Sequence, residues 1–561
     1  MGPTAAIPPV PQSDALFQSP ALSAASVLAG VPAWWRRRAL AAGLEEPWTD
    51  WRLALAPPPV ETEVAAPFPG LDRATSFELG EAYSGALDAS ARLSGGCHYT
   101  PDLLATTLWL ELGQAGSKTI ARVSDPACGA GALLIPAVRG LLSERSADAQ
   151  QTLARVEQRM SGQDLDPQAV WLGNAILGAE LLPTWASLPP ERRQPLPRLL
   201  TTGDGLARSE RPAEVTVMNP PYGRVRLAAD ERERWTESLF GHANRFALFL
   251  HAAIERTAPG GLIGAVLPTS FLGGAYYQRL RELIASQAPL VRLVFVDERS
   301  GVFSGDVLQE TCLAVFRRGQ VAEDVVCSTQ PTDGRRRLRV LGSVRLPRRR
   351  RDLPWLLPRV ERDAPLIDRA AGLPARLSDY GWKASTGPLV WNRHKPQISA
   401  ERREGAVPIV WAADLRAGRV EASRARARQR WLRLRERDEF MRLSQPAVLV
   451  QRTTAPEQHR RLVVSVLDRE TLDVTWGGSV IVENHVNVLR CAAEHSPLTP
   501  RLLAALLSSD PVDRLYRCLT GSVAVSAYEL EALPLPGADV LLDWRERPSE
   551  EVVGLADEFY G

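Results

Sequence analysis

The chain has 561 residues, too many for one simple core, so two or three domains are expected. Hydrophobic content of 45% and charged content of 24% are globular values, and a net charge of +2 excludes a global field that would by itself point to nucleic acid. The six cysteines are scattered, with no CxxC and no Cys/His cluster, which excludes a disulfide framework and leaves no metal site to expect. No basic segment followed by an apolar core opens the chain and no apolar run approaches 20 residues, so a soluble, cytoplasmic protein with no membrane partner is expected.

Residues 1–30 are rich in Pro, Ala and Ser and read as a flexible segment. "PAWWRRRALAAG" (32–43) predicts a short helix, followed by a Pro-rich stretch. "TSFELGEAYSGALDASARL" (75–93) carries a helical pattern ended by Gly95-Gly96. From about 98 to 320, strands and helices alternate. Strands are predicted at 120–125, before Gly162, and at 198–204, 214–219, 262–268, 291–297 and 311–318. "ANRFALFLHAAIERTAPGG" predicts a helix that stops at Pro259-Gly260-Gly261. The fold class is therefore α/β: a Rossmann-like, mostly parallel sheet of seven strands, with an N-terminal helical segment and a mixed α+β C-terminal region. "GRRRLRVLGSVRLPRRRRD" (334–352) reads as a basic linker, and no βαβ rhythm follows it. The expected divisions are 1–74, 75–325 for the sheet domain, 326–350 for the linker, 351–545 for a second domain and 546–561 for a tail.

The chemistry collects at strand ends. In "SDPACGAGALLIPAV" (124–138) a strand runs into Asp125, and Gly129 and Gly131 bend the chain into a helix, the place where open α/β sheets bind ligands. A tight strand–helix connection explains the same residues. In "GQDLDPQAV" (162–170), Asp164 is placed to accept ribose hydroxyls, and Asp166 before Pro167 to cap a helix. Asp204 in "TTGDGL" ends a third strand; it can accept from an adenine amine or simply close a turn.

"EVTVMNPPYG" (214–223) ends a fourth strand in a stiff hook. An exocyclic amine on a base is a poor nucleophile because its lone pair is conjugated into the ring. The Asn219 amide oxygen and the Pro220 carbonyl can accept both amine hydrogens and turn the lone pair toward an electrophile. Pro220 and Pro221 fix φ, so the hook is rigid. Tyr222 can stack on a base that has left its duplex. Such catalysis is positioning and needs no metal.

Taken in order, "HYTP" (98–101), "DPACGAG", "GQDLDP", "GDG", "NPPYG", "LPTSF" (267–271) and "GVFSGDVLQETCLAVF" (301–316) resemble the successive motifs of gamma-class, TaqI-type DNA adenine-N6 methyltransferases. The resemblance covers about 75–320 and continues more loosely to about 540. It implies S-adenosyl-L-methionine as cofactor. Tyr99, Thr100 and Pro101 would border its methionine end, with Asp125, Ala127, Cys128 and Gly129 forming the wall beneath. Asp164 would take the ribose and Asp204 the cofactor adenine. Asn219, Pro220, Pro221 and Tyr222 would take the target adenine, with Phe303 packing on the flipped base. Asn219 would also touch the cofactor. Two departures stand out: Leu133 and Gly205-Leu206 occupy places where the family often has aromatics.

Segments 385–397, 448–462, 483–489 and 520–536 resemble the target-recognition domain of PstI/BsuBI-like modification enzymes. Asn392, Arg393, Gln451, Arg452 and Arg460 are side chains that can read base edges or phosphates, and each alone is as well explained by structure. "SRARARQRWLRLRER" (423–437) could track a phosphate backbone or form a solvated helix face. The resemblance implies double-stranded DNA as partner and a monomer working beside a separately encoded cognate restriction endonuclease. Two other readings stay open: an NPPY enzyme acting on RNA, and a catalytically inactive DNA-binding protein. The three lysines (118, 383, 395) follow no acid at two residues' distance, so no nuclease acid–x–lysine motif is expected in the chain.

Overall fold

The computed structural model describes residues 23–561 except 60–65, 67, 89–98, 117–121, 145–147, 210, 297–309, 321–323, 331–337, 348–349, 351, 455–457 and 520–523. Nine strands form the main sheet. They are β1 (Val123–Asp125), β2 (Met160–Asp164), β3 (Leu200–Thr202), β4 (Ala213–Met218), β5 (Thr257–Pro268), β6 (Leu290–Val296), β7 (Thr311–Arg317), β8 (Asp324–Gln330) and β9 (Arg339–Arg345). Their order is β9-β8-β6-β7-β5-β4-β1-β2-β3. From β3 to β5 all neighbours are parallel. β7 runs antiparallel between β5 and β6.

The seven expected strands are all present, and two more lie where a linker was expected. β8 pairs in parallel with β6, and β9 returns antiparallel to β8. The linker reading of 326–350 is therefore corrected: 324–330 and 339–345 belong to the main sheet. The arginines misled because β9 is an edge strand. Arg339 and Arg345 face solvent while Leu341 and Val344 face the core, and Arg345 pairs with Asp324 at 2.7 Å.

Strand alternation divides the sheet's side chains between two cores. On β7, Leu313 and Val315 join one core, and Cys312, Ala314 and Phe316 join the other. The first core is covered by α1 (Ala24–Ala41), α2 (Ser76–Ala86), α3 (Asp102–Gln114), α4 (Ile135–Ser143), α5 (Ala149–Arg159) and α6 (Pro167–Ala186). α1 starts earlier than expected, inside the stretch read as flexible. Ser23 caps it, and Val27, Val31, Trp34 and Trp35 are buried along one side. Trp34 donates Nε1–H to the Ala74 carbonyl at 2.8 Å, so this segment is part of the domain.

The second core is covered by α7 (Arg245–Arg256) and α8 (Gln278–Gln287), and by residues from the far end of the chain. Trp355, α9 (Asp363–Ala371), α10 (Pro500–Ser508), α11 (Asp510–Leu519) and α12 (Ser549–Tyr560) all enter it. The expected tail at 546–561 is thus corrected too. It is largely helix, and Tyr560 is 1% exposed with its hydroxyl donating to the Pro534 carbonyl at 2.8 Å. Between these helices lie two further sheets. One orders Trp382–Thr386, Val486–Cys491, Ala447–Gln451, Val464–Leu467, Gly418–Val420 and Leu415–Arg416. The other orders Ile398–Ser399, Trp431–Arg433, Ala406–Val410, Val480–Val482 and Arg442–Leu443. Among the described residues no helix is long and apolar enough to cross a membrane.

Candidate active site

A cleft of about 490 Å³ opens at the C-terminal ends of β1 to β4. Parallel strands bring these ends to one edge, which is why motifs spread over 120 residues of sequence meet there. Tyr99, Thr100, Asp125, Ala127, Cys128, Gly129, Asp164, Asp204, Asn219 and Pro221 all line it. Pro101, Pro220 and Tyr222 flank the lining: Pro101 starts α3, and Pro220 is buried behind Asn219. Phe303 lies outside the described residues.

The floor is built by carboxylates holding backbone. Asp125, 1% exposed, accepts from the Ala127 N–H at 3.0 Å. Burial pushes its pKa up to about 8; the Ala127 N–H opposes this, Asp164 adds to it, and Arg256 counters it. Asp164 accepts from the N–H groups of Gly129 (2.9 Å) and Asp166 (3.0 Å). Burial raises its pKa against those two N–H groups. Asp166 takes the capping role: Oδ1 accepts from the Gln168 N–H at 2.9 Å, and Oδ2 from the Tyr83 hydroxyl at 2.7 Å. Asp204 closes a turn by accepting from the Leu206 N–H at 2.9 Å, and its carboxylate stays at the cleft.

At the hook, Asn219 donates Nδ2–H to Thr100 Oγ1 at 3.0 Å. The Tyr222 hydroxyl donates to the Val266 carbonyl at 3.2 Å and lies 3.4 Å from Asn219 Oδ1. The amide thus sits between two hydroxyls, those of Thr100 and Tyr222, at the cleft. The Tyr222 ring stands edge-on to Phe246 at 6.2 Å, and burial raises its pKa, so the hydroxyl stays protonated as a donor.

Two residues of the site, Phe249 and Arg256, were not read from the sequence, and the two noted departures, Gly205 and Leu133, both border the cleft. Gly205 sits so near the first turn that a Cβ there would meet the Pro126 carbonyl oxygen at 1.7 Å. No aromatic can occupy that position. Phe249 on α7 instead brings a ring to that part of the cleft, with Leu206 and Leu248. Its place one turn into the helix after the hook was the available signal. Leu133 lines the cleft where the family often has an aromatic. Arg256, at the end of α7, is buried and donates to the carbonyls of Gly205 and Ala207.

The candidate DNA contacts lie apart from the cleft. Asn392 and Arg393 are exposed on a short 3-10 turn. Gln451 donates to the Thr453 carbonyl (3.0 Å), Arg452 to Asn484 (3.2 Å) and Arg460 to Ser508. The run 423–437 is no single helix: it is a 3-10 turn, Arg424–Gln429, then a short strand and a second turn.

Residues 76–336 match the family model described as N-6 DNA Methylase. The chain is 23% identical over 436 residues to the type II methyltransferase M.BsuBI of Bacillus subtilis, covering 75% of this chain and 84% of that protein. It is 27% identical over 339 residues to M.PstI of Providencia stuartii, covering 58% and 66%. The DNA-bound type IIL restriction-modification enzyme MmeI superposes with a TM-score of 0.50 at 12% identity, over 87% of this chain and 78% of that one. Most of the main sheet lies within the region that matches the N-6 DNA Methylase model. The chain is an adenine-specific DNA methyltransferase, similar over three quarters of its length to M.BsuBI.

Proposed function

We propose that the cleft binds S-adenosyl-L-methionine and that the hook presents N6 of an adenine flipped out of duplex DNA, in the gamma-class manner. The observation that carries this reading is the placement of the Asn219 amide, at the end of β4 and in the cleft beside Thr100 and Tyr222. Its oxygen and the Pro220 carbonyl would accept the two amine hydrogens. The amine lone pair would then leave conjugation and point into the cleft. Tyr222, anchored through its hydroxyl, would meet the base with its ring.

The cofactor residues fit a nucleoside-bearing ligand. The buried Tyr99 hydroxyl has no hydrogen-bond partner among the described residues, and Tyr99 lies at the cleft beside Thr100. Asp164 would hold the ribose hydroxyls, and Asp204 the adenine amine. Asp125, Ala127, Cys128 and Gly129 would form the wall, and Tyr99, Thr100 and Pro101 would border the methionine end with Asn219. When bound, the cofactor supplies a methyl group made electrophilic by its sulfonium.

Double-stranded DNA would lie across the C-terminal sheets. Residues 391–440 hold 13 Lys or Arg against 7 Asp or Glu, a local excess that the near-neutral whole chain conceals. Lys395 stacks on Trp391 (4.9 Å), Arg426 on Trp411 (4.7 Å) and Arg402 on Trp431 (5.5 Å). Aromatic stacking holds these cations in place for phosphates. Asn392 and Arg393 are exposed enough to reach DNA. Gln451, Arg452 and Arg460 would have to give up carbonyl partners or act through their remaining donors. A monomer beside a separate endonuclease suits an enzyme that reads one site in one pass.

The test is transfer of labelled methyl groups from S-adenosylmethionine to unmethylated DNA. N219A is expected to lose about 100-fold or more in rate with little change in DNA affinity. Full activity in N219A would refute the assigned chemistry. Methylation-aware sequencing of DNA from expressing cells should show N6-methyladenine in one short motif.

A further inference from the structure

Arg256 is 5% exposed and is contributed by the helix that follows the hook. Its guanidinium reaches across to the third-strand turn and donates to two of that turn's carbonyls, Gly205 and Ala207 (2.9 Å). Asp125 and Asp204 both favour its charge, and burial and Arg234 oppose it. On its other side the same turn is pressed against the Asp125–Pro126 turn, where Gly205 leaves no room for a Cβ. Residues 204–206 of this turn line the cleft.

We infer that Arg256 is a positioning residue: by gripping the Gly205 and Ala207 carbonyls it sets the height of the 204–207 turn, and so places Asp204 and Leu206 for the cofactor's adenine. The inference rests on the cofactor reading above. Without the guanidinium, two inward carbonyls lose their donor, and the turn keeps only its internal bonds from Leu206 and Ala207 to Asp204 and the Gly203 N–H bond to the Asp164 carbonyl, none of which ties the Gly205 and Ala207 carbonyls to α7. The hook is on a different strand end and is held by Thr100 and Val266, so it should not move. Arg256 is thus expected to govern cofactor affinity and to leave DNA affinity and the chemical step alone.

The experiment uses the full chain, with S-adenosylhomocysteine as calorimetric probe and methyl-transfer kinetics on DNA. In R256M, the dissociation constant for the probe and the KM for S-adenosylmethionine should rise about tenfold or more. The kcat at saturating cofactor and the KM for DNA should stay within about twofold. R256K, which keeps a charged donor on the same path, should restore most of the cofactor affinity. A general structural role would move all the constants together and would not sort Met from Lys. If R256M does not fold, R256Q and R256K are read the same way, with R256Q expected to be weak for cofactor alone. Cofactor binding within about twofold of wild type in R256M or R256Q overturns the inference and leaves the cofactor reading standing. Failure of the wild-type chain to bind the probe overturns both.

Discussion

Asp125 turns burial into a measurable pH effect. Its folded pKa of about 8 lies far above the roughly 3.9 of an unfolded chain. The native state therefore keeps a proton that the unfolded state has lost between those values. Asp125's stabilising share is fully present below about pH 4 and is lost as pH rises toward 8, by at most roughly 1.4 kcal/mol per pH unit. D125N removes the titration and keeps an acceptor for the Ala127 N–H. Its Tm, measured without cofactor, should fall less than wild type between about pH 5 and about pH 8. Identical slopes would show that Asp125 does not carry the proton. Gly205 gives a second residue-scale prediction. G205A puts a methyl against the Pro126 carbonyl, and the turn must shift. A loss of about tenfold in cofactor affinity, seen by calorimetry, is expected, with DNA binding unchanged.

Single elements rest on a few sequence signals, and these were legible to different degrees. Asp166 before Pro167 announced a helix start, and the structure shows that cap with a second bond from Tyr83. D166A should cost about 1–2 kcal/mol in denaturant unfolding and leave DNA affinity intact. A change below the error of the measurement would mean that the cap is redundant. The cleft-lining strand ends were equally legible, because Gly, Asp and Pro at a strand end leave few conformations. β9 was not. Its four exposed positions look like a charged linker, and only pairing to β8 gives the alternation a meaning. Phe249 was missed for a related reason: within α7 it is one apolar residue among many, and only its height in the helix takes it to the cleft.

At the scale of the molecule, one core runs from the sheet face through the C-terminal helices. Arg281, fully buried, donates to the Phe271 and Gly274 carbonyls on one side, and to Asp352, Leu353 and the Tyr528 hydroxyl on the other. The C-terminal region is therefore seated on the main sheet. Removing residues 546–561 should expose Leu502, Leu515 and Trp544, and give a chain that aggregates or melts at lower temperature, as scattering and circular dichroism would report. Wild-type stability after that truncation would contradict a shared core. The stacked cations of 391–440 predict steep salt dependence. Replacing Lys395, Arg402 and Arg426 together by alanine should flatten the slope of log affinity against log salt by about 2–3 and leave the methylated motif unchanged.

The sequence by itself determined the ordered strand-end motifs, the parallel α/β class, and the chemistry of the hook. These depend on residue type and on spacing within short segments, where backbone stereochemistry decides the outcome. Only the tertiary structure decided that 24–41 and 549–560 are core helices, and that 324–330 and 339–345 extend the sheet. It alone placed Phe249 at the cleft and set Arg256 under the 204–207 turn. Those facts depend on contacts between residues well separated in the chain, and no local pattern encodes which distant surface will cover a given apolar face or buried carbonyl.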